Sequence, residues 1–202
     1  MTWEQRVQTA LQLQMPYGDR PERHLSEERR AKAIPAAVLI LIGMEGETPS
    51  ILYTKRTETV ETHKGQIAFP GGHCEEDEMA APEHAALRET EEEVGVPQNI
   101  IQVVGKLPEL WTVTGYLIHP IVGFLKVPPR EIQIRINQDE ISEACWIPIQ
   151  TLTQEGTYRS ETIQVGSVHY PIHVYQVGDM RIWGATGSMT KNFLDRLGSL
   201  TV

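Results

Sequence analysis

Between Arg88 and Val96 the chain reads RETEEEVGV, with glutamates at 89, 91, 92 and 93 and no lysine among them. Like charges three and four apart on a helix repel, by roughly 0.2–0.5 kcal/mol per pair. At about 100° per residue, Glu93 lies about 40° and Glu92 about −60° from Glu89, so three carboxylates share one arc of the helix. Glu91 falls on another face, and Leu87, Thr90 and Val94 form a separate stripe for the core. Arg88 precedes Glu92 by one turn, where it can pair with that carboxylate and hold it. Oxygen donors gathered on one arc suit a hard cation such as Mg²⁺ or Mn²⁺, which would relieve the repulsion. A solvated acidic face has the same composition. Two features favour the ion site: the organising arginine, and the Pro70-Gly71-Gly72 turn just upstream, which lets backbone approach whatever binds.

The elements that must position these residues follow from pattern. PEHAALRETEEEVG, residues 82–95, reads as a helix with Pro82 in its first turn and Gly95 at its C-cap. IPAAVLILIG, 34–43, is a continuous apolar run between proline and glycine, which predicts a strand buried on both faces. Further strands are expected over 50–56, 65–69, 101–107, 115–127, 143–147, 161–165 and 168–176, with a short helical turn at 148–153. The chain closes on a helix, ATGSMTKNFLDRLG, whose Met189, Phe193, Leu194 and Leu197 share a face. At the other end, 2–14 reads as an amphipathic helix with Trp3, Val7, Ala10 and Leu11 on one side. A charged stretch comes next, with one helical turn near Ser26–Ala31. Mixed strands with helices before, between and after predict a layered α/β sandwich. Its expected division is an N-terminal helix and linker arm over 1–32 and one domain over 33–200.

Lysines and arginines number 18 against 27 acids in 202 residues, a net charge of −9. That balance argues against general nucleic-acid or anionic-membrane binding, yet leaves room for an anionic substrate at a local basic patch or a bound cation. Cys74 and Cys145 have no CxxC or zinc-like spacing and are expected to be free thiols in a reducing compartment. The first residues lack the apolar core of a signal peptide, and no apolar run approaches the roughly 18 residues of a membrane span. The expected location is the cytoplasm.

RETEEEVGV resembles the second half of the Nudix box, R-E-U-x-E-E-x-G-U, with Thr90 at an apolar position. Gly72 and Glu78 fit the first half. The spacer from that acid to the arginine, Met79 to Leu87, is two residues longer than usual, so Glu76 and Asp77 also stand as candidates for the role of Glu78. Just upstream, LYTKRTETVETHKGQIAFPGG resembles the coenzyme A pyrophosphatase branch of Nudix hydrolases. Leu52, Thr54, Arg56, Gly65, Phe69, Pro70, Gly71 and Gly72 match that motif, whereas Glu61 stands where it carries arginine. RIWGATGSMTKNFLDRL is similar to that branch's closing strand and helix.

The resemblance, which covers about 33–198, implies a Nudix-type α/β/α sandwich with a mixed β-sheet. It implies an enzyme that directs water onto phosphorus in a nucleoside diphosphate linked to another group. Glu89, Glu92 and Glu93, with the backbone of Gly72, would hold Mg²⁺ or Mn²⁺, and Arg88 would orient the carboxylates. Arg56, His63, Lys64, Gly71 and Gly72 would face the substrate's phosphates. The general base would be a box glutamate or an acid from a downstream loop, where Glu140 is the leading candidate and Glu143 the weaker. Trp111 and Tyr116 would flank a nucleotide pocket, Trp183 is expected in the core, and His73 and Cys74 are expected bystanders. The implied substrate is coenzyme A, cut to 3′,5′-ADP and 4′-phosphopantetheine. Glu61 keeps ADP-ribose, a nucleotide sugar or a dinucleotide as the alternative. A catalytically silent nucleotide-binding module is the third reading, and would be expected to have lost acids that this box retains. The N-terminal helix, if exposed, could pair two subunits into a homodimer.

Overall fold

The apolar run forms the central strand β1 (Ile34–Glu45). Successive side chains of a strand point to opposite faces. Accordingly Ala37, Leu39 and Leu41 enter one core while Ile40 and Ile42 enter another, which is why the run is apolar without alternation. Helix α3 (Pro82–Val94) covers the first face with Ala85, Ala86 and Val94. Helices α1 (Trp3–Leu11) and α5 (Gly184–Gly198) cover the second through Val7, Ala10, Phe193 and Leu197. The architecture is the expected α/β/α sandwich. This computed structural model describes residues 1–17, 25–58, 65–165 and 168–200.

The main sheet is mixed and runs β3-β2-β1-β7-β5. Its strands are β2 (Thr48–Arg56), β3 (Ile67–Ala68), β4 (Gly71–His73), β5 (Ile101–Lys106), β6 (Leu110–Trp111), β7 (Tyr116–Leu125) and β8 (Ile141–Pro148). β1 and β7 are parallel. β1 changes its antiparallel partner along its length: Ile42–Glu45 pair with β2, whereas Ala36–Val38 pair with β4. β2 pairs with β8 on its other edge from Ser50 to Arg56, and beyond the switch Thr54 and Lys55 pair with β3 in place of β1. The sheet therefore divides, with the glycine strand β4 at the division. After the short helix α4 (Ile149–Leu152), a second sheet of order β11-β10-β9 is built from β9 (Tyr158–Val165), β10 (Val168–Val177) and β11 (Met180–Ile182).

The long elements lie where pattern placed them. The strand expected at 65–69 shortens to Ile67–Ala68, and β4, β6 and β11 are additional. Strands of two or three residues are too short to display a period. Helix α2 (Glu27–Ala31) is capped by the Ser26 side chain, which accepts from the Arg29 N–H. Among the described residues no helix is long and apolar enough to cross a membrane.

The N-terminal helix turns its apolar face to its own chain, and a buried cation fastens the end of that helix and the residues just past it. Arg196 is 2% exposed. Its guanidinium donates to the carbonyls of Ala10, Leu11, Leu13 and Met15 and to Asn192 Oδ1. Two of those carbonyls end α1, where the helix dipole is negative. Asn192 Nδ2 adds a 3.1 Å bond to the Met15 carbonyl. Arg196→Met keeps the bulk but removes from the Leu11 carbonyl and Asn192 Oδ1 the donor they have among the described residues, at a cost of about 1–3 kcal/mol per buried acceptor left unpaired. We expect a lowered urea midpoint with an unchanged slope, equivalent to about 2–4 kcal/mol in total. A midpoint equal to wild type would show that these bonds contribute nothing net.

Candidate functional site

Helix α3 begins with Pro82 in its first turn and ends at Gly95, whose φ of 70° is the left-handed cap conformation. The next carbonyls back are taken by a distant loop: Arg135 N–H donates to Val94 O at 2.9 Å and Asn137 N–H to Glu93 O at 2.8 Å. This fastens the loop that carries Glu140 to the end of the glutamate helix. Asn137 Nδ2 also reaches Glu140 Oε1, at 3.4 Å.

Arg88 organises the other side of the helix. Its Nε and Nη2 donate to the two oxygens of Glu78 at 2.9 and 3.0 Å. Nη2 also meets the His73 carbonyl at 3.1 Å, and Nη1 donates to Glu89 at 2.8 Å and Glu92 at 3.2 Å. All five N–H groups of the guanidinium thus have acceptors. Of the three acids left open by the long spacer, it is Glu78 that meets the arginine. It sits on a 3₁₀ turn, Glu76–Glu78, accepts the Glu75 N–H, and is buried while Glu76 and Asp77 are exposed. The bond from Arg88 holds the Glu78 carboxyl below its ordinary range.

Glu93 lies deeper than its place on the wheel implied, at 2% exposure. Its Oε2 accepts the Gly71 N–H at 3.2 Å, and its Oε1 lies 3.7 Å from Arg56 Nη1. Burial pushes its pKa up to about 8 against these two contacts, and burial also raises that of Glu89. Glu91 is exposed on the far face and accepts from Gln98.

Both glycines of the turn are required by close approach. Gly71 has φ of +152°, and a Cβ on it would overlap the Ala37 carbonyl. A Cβ on Gly72 would lie 2.5 Å from Glu89 Oε1. One glycine lets β4 join β1, and the other lets the carboxylate rest against the backbone.

Gly71, Gly72, Glu89, Glu92, Arg56 and Glu140 all line one cavity of about 740 Å³ at the division of the sheet. Among the described residues the buried Nε of Arg56 has no hydrogen-bond partner. Glu143 is exposed on β8 opposite Lys55 and does not line the cavity. His63, Lys64 and Glu61 lie outside the described residues.

Two expectations are corrected. Trp183 is only half-buried and lines the cavity, with the Arg181 guanidinium 5.0 Å from its ring centre. It stands between β11 and α5, where the second sheet closes over the first. That neighbour is remote in sequence, so local pattern could not reveal it. His73 is no bystander: its ring stacks on Tyr116 with centres 5.7 Å apart, and its carbonyl binds Arg88. Tyr116 lines the cavity and Trp111 does not.

Among the described residues no three His, Cys, Asp or Glu side chains converge closely enough to hold an ion as they stand. The reason is visible in the partners: Arg88 draws off Glu89 and Glu92, while Arg56 and the Gly71 amide occupy Glu93. The donor set nevertheless fits a hard divalent cation. It is all oxygen, and two of its carboxyls are driven toward the neutral form by burial, a penalty that a cation offsets.

A family model described as the NUDIX domain matches residues 32–165. Proteins from Yersinia pestis (strain Pestoides F) and Yersinia pseudotuberculosis serotype O:1b (strain IP 31758), each described as an uncharacterized Nudix hydrolase NudL, are 33% identical over 186 residues, covering 92% of this chain and 90% of theirs. Among solved structures, a MutT/nudix family protein from Enterococcus faecalis superposes with a TM-score of 0.53 at 17% identity, over 88% of this chain and 71% of that one. The last likeness concerns fold alone.

The two glycines should fail differently. Gly71→Ala forces a side chain into a disfavoured φ and into fixed backbone, so its melting temperature should drop by about 6 °C or more. Gly72→Ala meets only the movable end of Glu89, and a loss of about 3 °C at most is expected. Thermal unfolding of both variants checks this; the reverse order would contradict the packing described.

Proposed function

The chain belongs to the Nudix hydrolase family, and on that premise we propose that it is a divalent-cation-dependent pyrophosphohydrolase of coenzyme A or its derivatives. The observation that carries the reading is the cavity's mixed end. Half-buried and buried carboxylates, Glu89 and Glu93, lie against a glycine strand beside an arginine, Arg56, with a buried donor that is unpaired among the described residues. Such an end suits a diphosphate accompanied by cations.

Glu89, Glu92 and Glu93, with the Gly72 backbone, are the proposed holders of Mg²⁺ or Mn²⁺. The cation supplies charge that neutralises the diphosphate and makes water easier to deprotonate. Arg88 keeps the carboxylates oriented, anchored by Glu78 through its other edge. Arg56 offers its free Nε to a phosphate oxygen, and the side-chain-free backbone at Gly71 and Gly72 allows the phosphates close. Glu140, steadied by Asn137, is the proposed base that takes a proton from the attacking water. The water oxygen bonds to phosphorus, the P–O bond of the bridge breaks, and the leaving phosphate carries away the electron pair. From coenzyme A the products are 3′,5′-ADP and 4′-phosphopantetheine. His63 and Lys64 remain proposed phosphate contacts, 33–200 the proposed catalytic domain, 1–32 the proposed N-terminal helix and linker arm, and the cytoplasm the proposed location.

The substrate assignment is supported by the residues matching the coenzyme A branch, among them Arg56, Gly65 and Phe69. Glu61, acidic where that motif is basic, favours the second reading: the same chemistry on ADP-ribose, a nucleotide sugar or a dinucleotide.

A panel of coenzyme A, ADP-ribose, NADH and sugar nucleotides with Mg²⁺ or Mn²⁺, read by product mass, decides between them. Coenzyme A should be cut fastest, and a chelator should stop the reaction. Preferential cleavage of another member would overturn the substrate assignment, and turnover without cation would overturn the site.

Glu92→Gln and Glu93→Gln should each lower kcat by on the order of 100-fold or more, at least as much as losing a residue that only supports a metal ligand. Glu91→Gln should leave the rate near wild type. Equal effects at 91, 92 and 93 would mean that general acidity of the helix, not the arc, matters.

A further inference from the structure

The cavity is lined by a second set of polar groups besides the glutamates. Gly184, Ala185, Thr186 and Ser188, at the start of α5, line it. A helix starts with four N–H groups that lack partners within it and that a cap usually meets. Here the N-cap position is Trp183, which offers no side-chain bond, and no acid stands in the first turn. Gly187 N–H reaches Trp183 O at 3.2 Å, but among the described residues Gly184, Ala185 and Thr186 N–H have no such backbone bond. Thr186 is 8% exposed, and its hydroxyl lacks a partner among the described residues. The Thr186 hydroxyl is not sealed from the cavity that Thr186 lines, so a single oxyanion there can accept from it and from the adjacent amides together.

The fold aims and fixes this helix start. A Cβ at Gly187 would overlap the His173 carbonyl, so the first turn of α5 lies directly on the backbone of β10. One turn on, Thr190 Oγ1 bonds Tyr53 Oη on β2 at 3.0 Å, and β2 ends at Arg56. Three strand residues and four helix residues span about 10 and 6 Å, which keeps the helix end within the order of 10–20 Å of Arg56. That distance is within the reach of one nucleotide.

We propose that the first turn of α5, Gly184–Thr186 with the Thr186 hydroxyl, is a second oxyanion subsite that receives a phosphomonoester of the substrate, separate from the diphosphate at the glutamates. It rests on the reading of the acidic end as the diphosphate site. A substrate with one phosphate beyond its diphosphate would be held at both subsites of the cavity, and one without it at the acidic end alone.

Calorimetric titration of the full chain with adenosine 3′,5′-bisphosphate and with 5′-AMP, in the presence of Mg²⁺, tests this. Wild type should bind the bisphosphate more tightly. Thr186→Val, which keeps shape and loses the hydroxyl, should weaken bisphosphate binding by about tenfold and leave 5′-AMP unchanged. Ala185→Asp should weaken it further, because a carboxylate occupies the subsite. Aspartate suits a helix start, so the fold should persist, which thermal unfolding verifies. Equal loss for both ligands, no loss for either, or a wild type that does not distinguish them would overturn the subsite. The outcome is separable from the substrate assignment. A wild type that prefers the bisphosphate through Thr186 yet leaves coenzyme A uncut would sink the substrate and keep the subsite. Cleavage of coenzyme A with unaltered ligand preference in both variants would do the opposite.

Discussion

Arg88 is the residue on which the acidic end depends, because a guanidinium offers five donors in one plane and each of these has an acceptor. The acceptors come from three elements: Glu78 from the 3₁₀ turn, the His73 carbonyl from β4, and Glu89 and Glu92 from α3 itself. One side chain thereby fixes the glycine strand, the loop before the helix and two carboxylates in a common frame. Lysine could not replace it, having one nitrogen and no planar fork. The long spacer between Glu78 and Arg88 is absorbed ahead of Pro82, so it alters neither the helix phase nor this contact.

Around that frame the protein accepts local cost. Glu93 is buried with its carboxyl driven toward neutrality, and the buried Arg56 Nε has no partner among the described residues. A chain selected for stability alone would replace such groups with apolar ones. Both groups face the division of the sheet, where β1 gives up β2 for β4 and the cavity opens. Unmet polar capacity concentrated at an opening is the usual mark of a place prepared for charged ligands. The cavity wall also draws on the second sheet and α5, so it is built from different layers of the fold.

Much of this was legible in sequence because it is periodic or local. The helix with Pro82 and Gly95 at its ends, the two-faced strand β1, and the separation of Glu91 from Glu89, Glu92 and Glu93 all follow from repeats of 3.6 or 2 residues. What escaped depends on partners far along the chain. The arginine's choice of Glu78, the half-buried setting of Trp183, the stacking of His73 on Tyr116 and the fastening of the first residues by Arg196 are tertiary contacts. β4 was hidden for another reason: a strand of Gly-Gly-His has no side-chain pattern, and only the overlap that a Cβ would cause reveals why it must be glycine.

The central claim is that the carboxylates framed by Arg88 form a divalent-cation site. Titrating Mn²⁺ against the protein and following the free ion by electron paramagnetic resonance tests it without relying on turnover or on a chosen substrate. The account predicts saturable binding to the wild type that is weakened by at least about tenfold in Glu89→Gln. Wild-type binding that is absent, or equally strong in that variant, would contradict it.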